Sequence, residues 1–317
     1  MDYGNGSQPQ PEILAALLRQ LQELLNLQRK FQPNLMLPTE DNGSEVTLGI
    51  RDGSAHILRC LKIWYELPSD VLFAAINIMD RFLTKMKVQP KYIACISIAS
   101  FHIACKLVCS PDLIPDPAHL ISISQCKCTL SDLSRMTSVI ISKVEINFDE
   151  RDSIPITSLT FLRLLHQMMS VSKYSDVYKQ AVDEFQMFQR LEVLACDGSC
   201  VNFECSYIAL ALLCSQIDIG VARLQPAPCA HIDVLSLLAF VRELQQYCQI
   251  VENNFYRCLS SVLKVISQYN SQSGIPHRQR LVWRLSQRAL RHLRPTDRLK
   301  PTLPTIKEQS QYRIDEE

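Results

Sequence analysis

Apolar residues recur at helical spacing along most of the chain, most clearly from Asp70 to Lys106. In the first half of this stretch they repeat every three or four positions, and Pro90 ends that helix and opens the next. The second half, 91–108, is apolar nearly all round, as is typical of a helix at the centre of a bundle. It is too short and too often interrupted by polar residues to span a membrane. The apolar positions of the first half are Leu72, Ile76, Met79, Phe82, Leu83 and Met86.

The same periodicity predicts two groups of five helices. The helices of the first group are expected at 51–65, 70–86, 91–108, 119–124 and from about 130 to 144, the last capped by Thr129 or Ser131. Those of the second group are expected at 157–168, 177–194, 203–217, 232–248 and 251–269. The third helix of each group is the most apolar, and this repeated plan predicts two stacked helical domains.

Two further segments flank the predicted domains. An amphipathic helix over 11–31 can pack on a domain, or it can bind a partner or a second copy through its leucine stripe. The segment 278–294 is basic and amphipathic, and a solvated helix, a membrane surface and a nucleic-acid contact are all open interpretations. The predicted organisation is an N-terminal helix and connector (1–48), a first domain (49–149), a second domain (150–270) and a basic segment with a tail (271–317).

Composition argues against several classes of function. The net charge of +1 disfavours nucleic acid as the main partner, and the 8 glycines disfavour a glycine-rich nucleotide fold. No signal peptide is expected from the polar first residues. The 13 cysteines include no CxxC pair, so we predict reduced thiols packed as small hydrophobes, with no metal and no cofactor. No set of residues with the spacing of a catalytic site is found, and no enzymatic activity is predicted.

Several strings resemble a known family. DRFLTKMKVQPK, followed by an apolar helix that ends in a lysine, resembles the first cyclin box of G-type cyclins. SDLSRM at 131–136, QLQELLNLQRKFQPN near the start and LPTI near the end are similar to the same group, so the resemblance is strong for 51–144 and weaker beyond 150. It implies an all-α fold of two tandem five-helix cyclin-like domains with an N-terminal helix and a flexible C-terminal tail. It also implies a non-catalytic regulator of the cell cycle, expected in nucleus and cytoplasm.

The resemblance assigns roles to four residues of the first domain. Asp80 lies in an apolar helix and needs a partner there, and the resemblance supplies Arg51 as a structural ion pair. Lys106 matches the lysine through which cyclins contact a cyclin-dependent kinase, although it also suits a helix C-terminus simply as a cation. Thr137 stands where the family has a glutamate, and this departure predicts weakened kinase activation. In IRDGSAHIL, Gly53 and Ser54 replace bulky groove residues, so no conventional substrate docking is expected.

The tail contains a string similar to a phosphatase-docking motif. Leu303, Ile306 and Glu308 resemble the LxxIxE motif that binds B-prime-type regulatory subunits of protein phosphatase 2A. The leading hypothesis is therefore an adaptor that recruits this phosphatase and, through its box, a cyclin-dependent kinase. The alternative is a regulatory subunit that activates a cyclin-dependent kinase. Thr305 and Ser110, which precedes Pro111, are candidate phosphorylation sites.

Overall fold

The computed structural model describes residues 11–40, 43–149, 153–223 and 230–270, and within these ranges it contains helices and no strands. The first half holds six α-helices: α1 Pro11–Phe31, α2 Leu48–Trp64, α3 Ser69–Lys85, α4 Ile93–Val108, α5 Pro117–Ser124 and α6 Leu130–Val144. The second half holds another six: α7 Ser158–Val171, α8 Ser175–Ala181, α9 Glu184–Cys196, α10 Cys205–Arg223, α11 Ala230–Tyr247 and α12 Glu252–Asn270. The predicted all-α fold is confirmed.

Local side chains decide where several helices begin. Thr129, and not Ser131, caps α6: the Asp132 N–H donates to Thr129 Oγ1 over 3.1 Å, and the Thr129 N–H donates to the Asp132 carboxylate over 3.0 Å. This reciprocal pair satisfies two backbone donors that the first turn would otherwise leave free. Thr47 caps α2 by a single bond, in which its hydroxyl oxygen accepts from the Ile50 N–H.

The predicted single helix over 177–194 is wrong, because the chain breaks between α8 and α9. Val182 and Asp183 have extended backbone, and the Asp183 carboxylate accepts the Gln186 N–H over 3.0 Å to start α9. The end of α8 also packs directly on α10, where Gly220 faces the Ala181 carbonyl. Between residues 153 and 270, the described part of the second half consequently has six helices and not five.

Two apolar cores organise the helices. The first is built mainly from α2 to α6, and the second from α7 to α12 together with Leu17 and Leu21 of α1. The helices α4 and α10 lie at the two centres, as their all-round apolar sequences predict. By length and composition, the stretches Pro90–Val108 and Cys205–Arg223 are long and apolar enough to cross a membrane, so the expectation that 91–108 is too short is wrong. Most of each stretch is buried among the other helices. This burial fits core helices.

The N-terminal helix docks at the junction of the two cores. Its apolar face packs on the second core, and its C-terminal end is held by hydrogen bonds to both halves. Gln28 Nε2 donates to Glu204 over 2.9 Å, and Asn77 Nδ2 of α3 donates to the Phe31 carbonyl over 2.8 Å. Of the two interpretations of α1, its packing on the folded body is therefore the one observed.

Candidate functional site

Arg51 and Asp80 form a bidentate ion pair in the protein interior. Arg51 Nε donates to Asp80 Oδ1 over 2.8 Å and Nη2 donates to Oδ2 over 2.6 Å, and the two side chains are 1% and 2% exposed. The pair joins the start of α2 to the last turns of α3. Burial opposes the charge on the guanidinium, but the Asp80 and Asp52 carboxylates outweigh it, so the pKa of Arg51 is raised.

The same guanidinium also reaches the second half of the chain. Arg51 donates from Nη2 to the Ala195 carbonyl over 3.2 Å and from Nη1 to the Cys196 carbonyl over 3.1 Å, at the C-terminal end of α9. The adjacent Asp52 accepts the Gly198 N–H over 2.9 Å. A helix C-terminus presents carbonyls with partial negative charge, which a buried cation satisfies. Arg51 therefore fixes the crossing of α2 and α3 and also ties α2 to α9.

A second buried ionic cluster centres on Glu192 of α9, which sequence reasoning missed. Its carboxylate accepts from Arg59 over 3.1 Å, from Lys62 over 2.5 Å and from the Ser69 hydroxyl over 2.7 Å. Burial would raise the pKa of Glu192, but the hydrogen bond from Lys62 and the charge of Arg59 outweigh it and lower that pKa. An acid between Leu191 and Val193 in an apolar stretch is the signal that could have found this cluster.

Lys106 and Thr137 lie on α4 and α6, two helices that pack against each other and whose outer surface we call the α4–α6 face. Lys106 lies in the last turn of α4, its residue is exposed, and within the described ranges no carboxylate pairs with it. One turn earlier, burial lowers the pKa of His102 and the Lys106 ammonium lowers it further, with Asp116 opposing. His102 is therefore neutral at pH 7, and Lys106 supplies the positive charge at this end of α4.

Thr137 lies in the middle of α6, a helix that packs against α4. The residue is half-buried, and its Oγ1 is shielded from solvent without a hydrogen-bond partner. No hydrogen bond joins it to Lys106 in the described structure. A threonine here offers neither the charge nor the reach of the glutamate that the resemblance implies at this position, so the face presents a cation without the accompanying acid.

The segment 50–58 presents little apolar surface at the two substituted positions. Gly53 faces open space, with no atom within 4 Å of where a Cβ would lie. Ser54 is buried, and its hydroxyl donates to the Ile50 carbonyl over 3.0 Å. A groove at these positions lacks the side chains that would bury a docked peptide.

Most of the cysteines that the structure describes are buried as free thiols. Burial raises the pKa of Cys214, on the central helix α10, to about 12, so this thiol is protonated and unreactive at neutral pH. Within the described ranges no group of histidine, cysteine or acidic residues has the arrangement of a metal site. A cavity of about 60 Å³ beside Arg51 and Asn77 is far smaller than small-molecule sites, which occupy about 300 Å³ or more.

Leu303, Ile306 and Glu308 lie outside the described residues, as do Thr305 and the basic segment 278–294. The docking motif thus remains a prediction from sequence.

Comparisons with known proteins place this geometry in a family. The family model described as the cyclin N-terminal domain matches residues 19–149, which include α2 to α6 and the Arg51–Asp80 pair. Cyclin G of Drosophila melanogaster is 42% identical over 301 residues, or 92% of this chain. The chain belongs to the cyclin family. It spans about half of the fly protein, 51% of its length.

Mammalian G-type cyclins are among the relatives that it matches. Human Cyclin-G2 is 29% identical over 92% of this chain and 81% of its own length, and human Cyclin-G1 is 28% identical over 92% and 95%. The crystal structure of a viral cyclin from herpesvirus saimiri superposes with a TM-score of 0.54 at 16% identity, covering 80% of this chain and 99% of that one. This match concerns the fold alone. Cyclins as a family are regulatory proteins of the cell cycle.

Proposed function

We propose that the protein is a cyclin-type adaptor, which binds a cyclin-dependent kinase through the α4–α6 face and recruits protein phosphatase 2A through its tail. The observation that carries the proposal is the mismatch between Lys106 and Thr137. An exposed cation on α4 supports contact with a protein partner. The neutral Thr137 removes the acid that would complete a charge-assisted contact, and this favours binding without strong activation. Nucleus and cytoplasm remain the proposed locations.

The phosphatase arm rests on Leu303, Ile306 and Glu308. Pro304 favours an extended backbone, the two apolar side chains fit successive pockets, and the glutamate suits a basic rim. A B-prime-type regulatory subunit is the proposed partner. In the sequence the motif lies after α12, the last helix that the structure describes.

Replacing both apolar anchors tests the phosphatase arm. We expect Leu303→Ala/Ile306→Ala to weaken binding of a purified B-prime-type subunit by at least about tenfold, because each truncation removes apolar surface buried in a pocket. Isothermal titration calorimetry with the full chain measures this. The matched control, Gln309→Ala/Gln311→Ala, changes two residues of the same tail outside the motif and should bind like the wild type. Equal affinities of the three proteins would refute the motif.

The alternative function, activation of a cyclin-dependent kinase, is favoured by the exposed charge of Lys106. The two functions differ in the rate at which a kinase captured on the chain phosphorylates histone. An activator raises this rate well above that of the kinase alone, whereas an adaptor leaves it near the rate of the kinase alone. In both cases the kinase contact is expected to weaken when Lys106 is replaced by glutamate.

Restoring the acid on α6 tests the kinase arm directly. We expect Thr137→Glu to strengthen capture of the kinase by about tenfold, because a carboxylate adds a charge-assisted hydrogen bond at the interface. The control Ser138→Glu adds the same charge one residue further along, about 100° around the helix, and should change little. A gain in Ser138→Glu equal to that in Thr137→Glu would show that net charge, and not this contact, governs capture.

A further inference from the structure

The chain contains a single Ser/Thr–Pro dipeptide in its 317 residues, Ser110–Pro111. Proline-directed kinases select a hydroxyl residue followed by proline, and the other prolines of this chain follow residues without a hydroxyl. The sequence alone therefore offers such an enzyme one site.

The fold presents this site at the surface, directly after α4. The helix ends at Val108, and the Cys109 N–H still donates to the Cys105 carbonyl over 2.9 Å. Ser110 is exposed with extended backbone (φ −65°, ψ 152°), and Pro111 and Asp112 are exposed as well. The hydroxyl is therefore accessible, and the backbone at Ser110 already has the extended form that a kinase cleft accepts.

Only a small local opening separates this segment from an extended substrate. Residues Pro111–Leu113 form one turn of 3-10 helix, held by the Leu113 N–H donating to the Ser110 carbonyl over 3.0 Å and the Ile114 N–H to the Pro111 carbonyl over 3.3 Å. Leu113 is 56% exposed, so its own side chain loses little burial when the turn opens, and Ile114, which packs on the first core, marks the end of the segment that can open. Such surface turns open at low free-energy cost.

A phosphate at Ser110 would enter a defined electrostatic environment. The C-terminal end of α4 and Asp112 are both negative, and each repels an added charge of about −1.5 to −2. Lys106 lies four residues before Ser110, in the last turn of α4, and is exposed on a flexible stem. Burial raises the pKa of the neighbouring Cys109 thiol, and the Asp70 carboxylate, which is paired with Arg163 over 2.5 and 2.8 Å, raises it further. Lys106 is the nearest cation in sequence without a carboxylate partner in the described structure.

We propose that Ser110 is a phosphorylation site for a proline-directed serine/threonine kinase, and that its phosphate engages Lys106. In the reaction Ser110 Oγ attacks the γ-phosphorus of ATP, the bond to the β–γ bridging oxygen breaks, ADP leaves, and the hydroxyl proton passes to the catalytic base of the modifying kinase. The phosphate thereby neutralises the charge of Lys106, the exposed cation of the α4–α6 face. Its effect on a kinase partner rests on the proposed function, whereas the modification itself does not.

The first test is phosphorylation of the purified full chain by a mitogen-activated protein kinase with ATP. Intact-mass and peptide mass spectrometry should show one phosphate, located on Ser110. Neither Ser110→Ala nor Pro111→Ala should take up this phosphate. Pro111→Ala keeps the hydroxyl but lacks the following proline that such a kinase selects. No incorporation, or incorporation elsewhere with Ser110 unmodified, overturns the proposal.

The second test reads the Lys106 contact without any binding partner. An amine-reactive N-hydroxysuccinimide ester acylates only the free amine, so pairing with the phosphate should slow labelling of Lys106 by about threefold. The exposed Lys127 and Lys143 should label at unchanged rates, as should Lys106 in Ser110→Ala after the same kinase treatment. Unchanged labelling of Lys106 in the phosphorylated chain overturns the contact.

A third measurement links this site to the proposed function. If the unmodified chain captures a cyclin-dependent kinase, the phosphorylated chain should capture it about tenfold more weakly. Equal capture would overturn the regulatory effect. If the unmodified chain captures no such kinase, the proposed function fails, while the mass and labelling results still decide the Ser110 site.

Discussion

Replacing Arg51 by methionine should lower the free energy of unfolding by about 3–5 kcal/mol. Methionine keeps much of the buried stem but leaves the Asp80 carboxyl, whose side chain is 2% exposed, without its bidentate partner. The carbonyls of Ala195 and Cys196 lose their donors in the same step, which loosens α2 from α9. Urea unfolding followed by circular dichroism at pH 7 measures the change.

Two further variants test whether the loss of stability comes from the buried ion pair. Arg135→Met removes an arginine whose side chain is 74% exposed and pairs with Asp132 at the surface, so it should cost less than about 0.5 kcal/mol. Arg51→Met/Asp80→Leu removes the bidentate pair and should recover much of the loss, because Asp80 no longer leaves an unpaired carboxyl and Asp52 keeps the Gly198 N–H as a donor. A loss below about 1 kcal/mol in Arg51→Met would contradict a stabilising role for the pair.

Replacing Gly220 by alanine should lower the free energy of unfolding by about 3 kcal/mol, at the upper end of overpacking effects. A Cβ at this position of α10 would lie 1.9 Å from the Ala181 carbonyl oxygen and 2.5 Å from its carbon. Because these are backbone atoms, no side-chain rotation can relieve the contact, and α8 must move away from α10. Thermal unfolding by calorimetry measures the loss.

The matched control for Gly220→Ala should change the free energy of unfolding in the opposite direction. Gly53 lies within α2, and a Cβ there meets no atom within 4 Å, so Gly53→Ala should stabilise the protein by about 0.5–1 kcal/mol through helix propensity. If Gly220→Ala does not lower the free energy of unfolding, the close approach of α8 to α10 is not a constraint on the fold.

Much of the fold could be predicted because the signals for helices are local. The apolar period of 3.6 residues, the prolines that open helices and the Thr129–Asp132 capping pair all act within a few positions of one another. Helix boundaries such as Pro11–Phe31 could for this reason be predicted closely. The break at Val182 and Asp183 was missed because two short helices with one apolar period look like one long helix.

The candidate site could likewise be predicted from the sequence only in part. Asp80 was conspicuous in sequence because an acid in an apolar helix requires a partner, but only the resemblance to cyclins named Arg51. Glu192 has the same character, and its partners Arg59, Lys62 and Ser69 lie more than a hundred residues earlier in the chain. No periodicity connects positions so far apart, so the second ionic cluster could not be assembled from sequence.

By itself the sequence determined an all-helical chain with two central apolar helices, a neutral residue at position 137 and one Ser–Pro dipeptide. These depend on residue identity and on spacing within a few turns. The tertiary structure alone decided that α1 packs on the second core, that Arg51 and Glu192 tie α2 to α9, and that Gly220 admits the Ala181 carbonyl. The physical reason is that the free energy of a buried ion pair or a close backbone contact depends on groups that are far apart in the sequence and meet only in the folded chain.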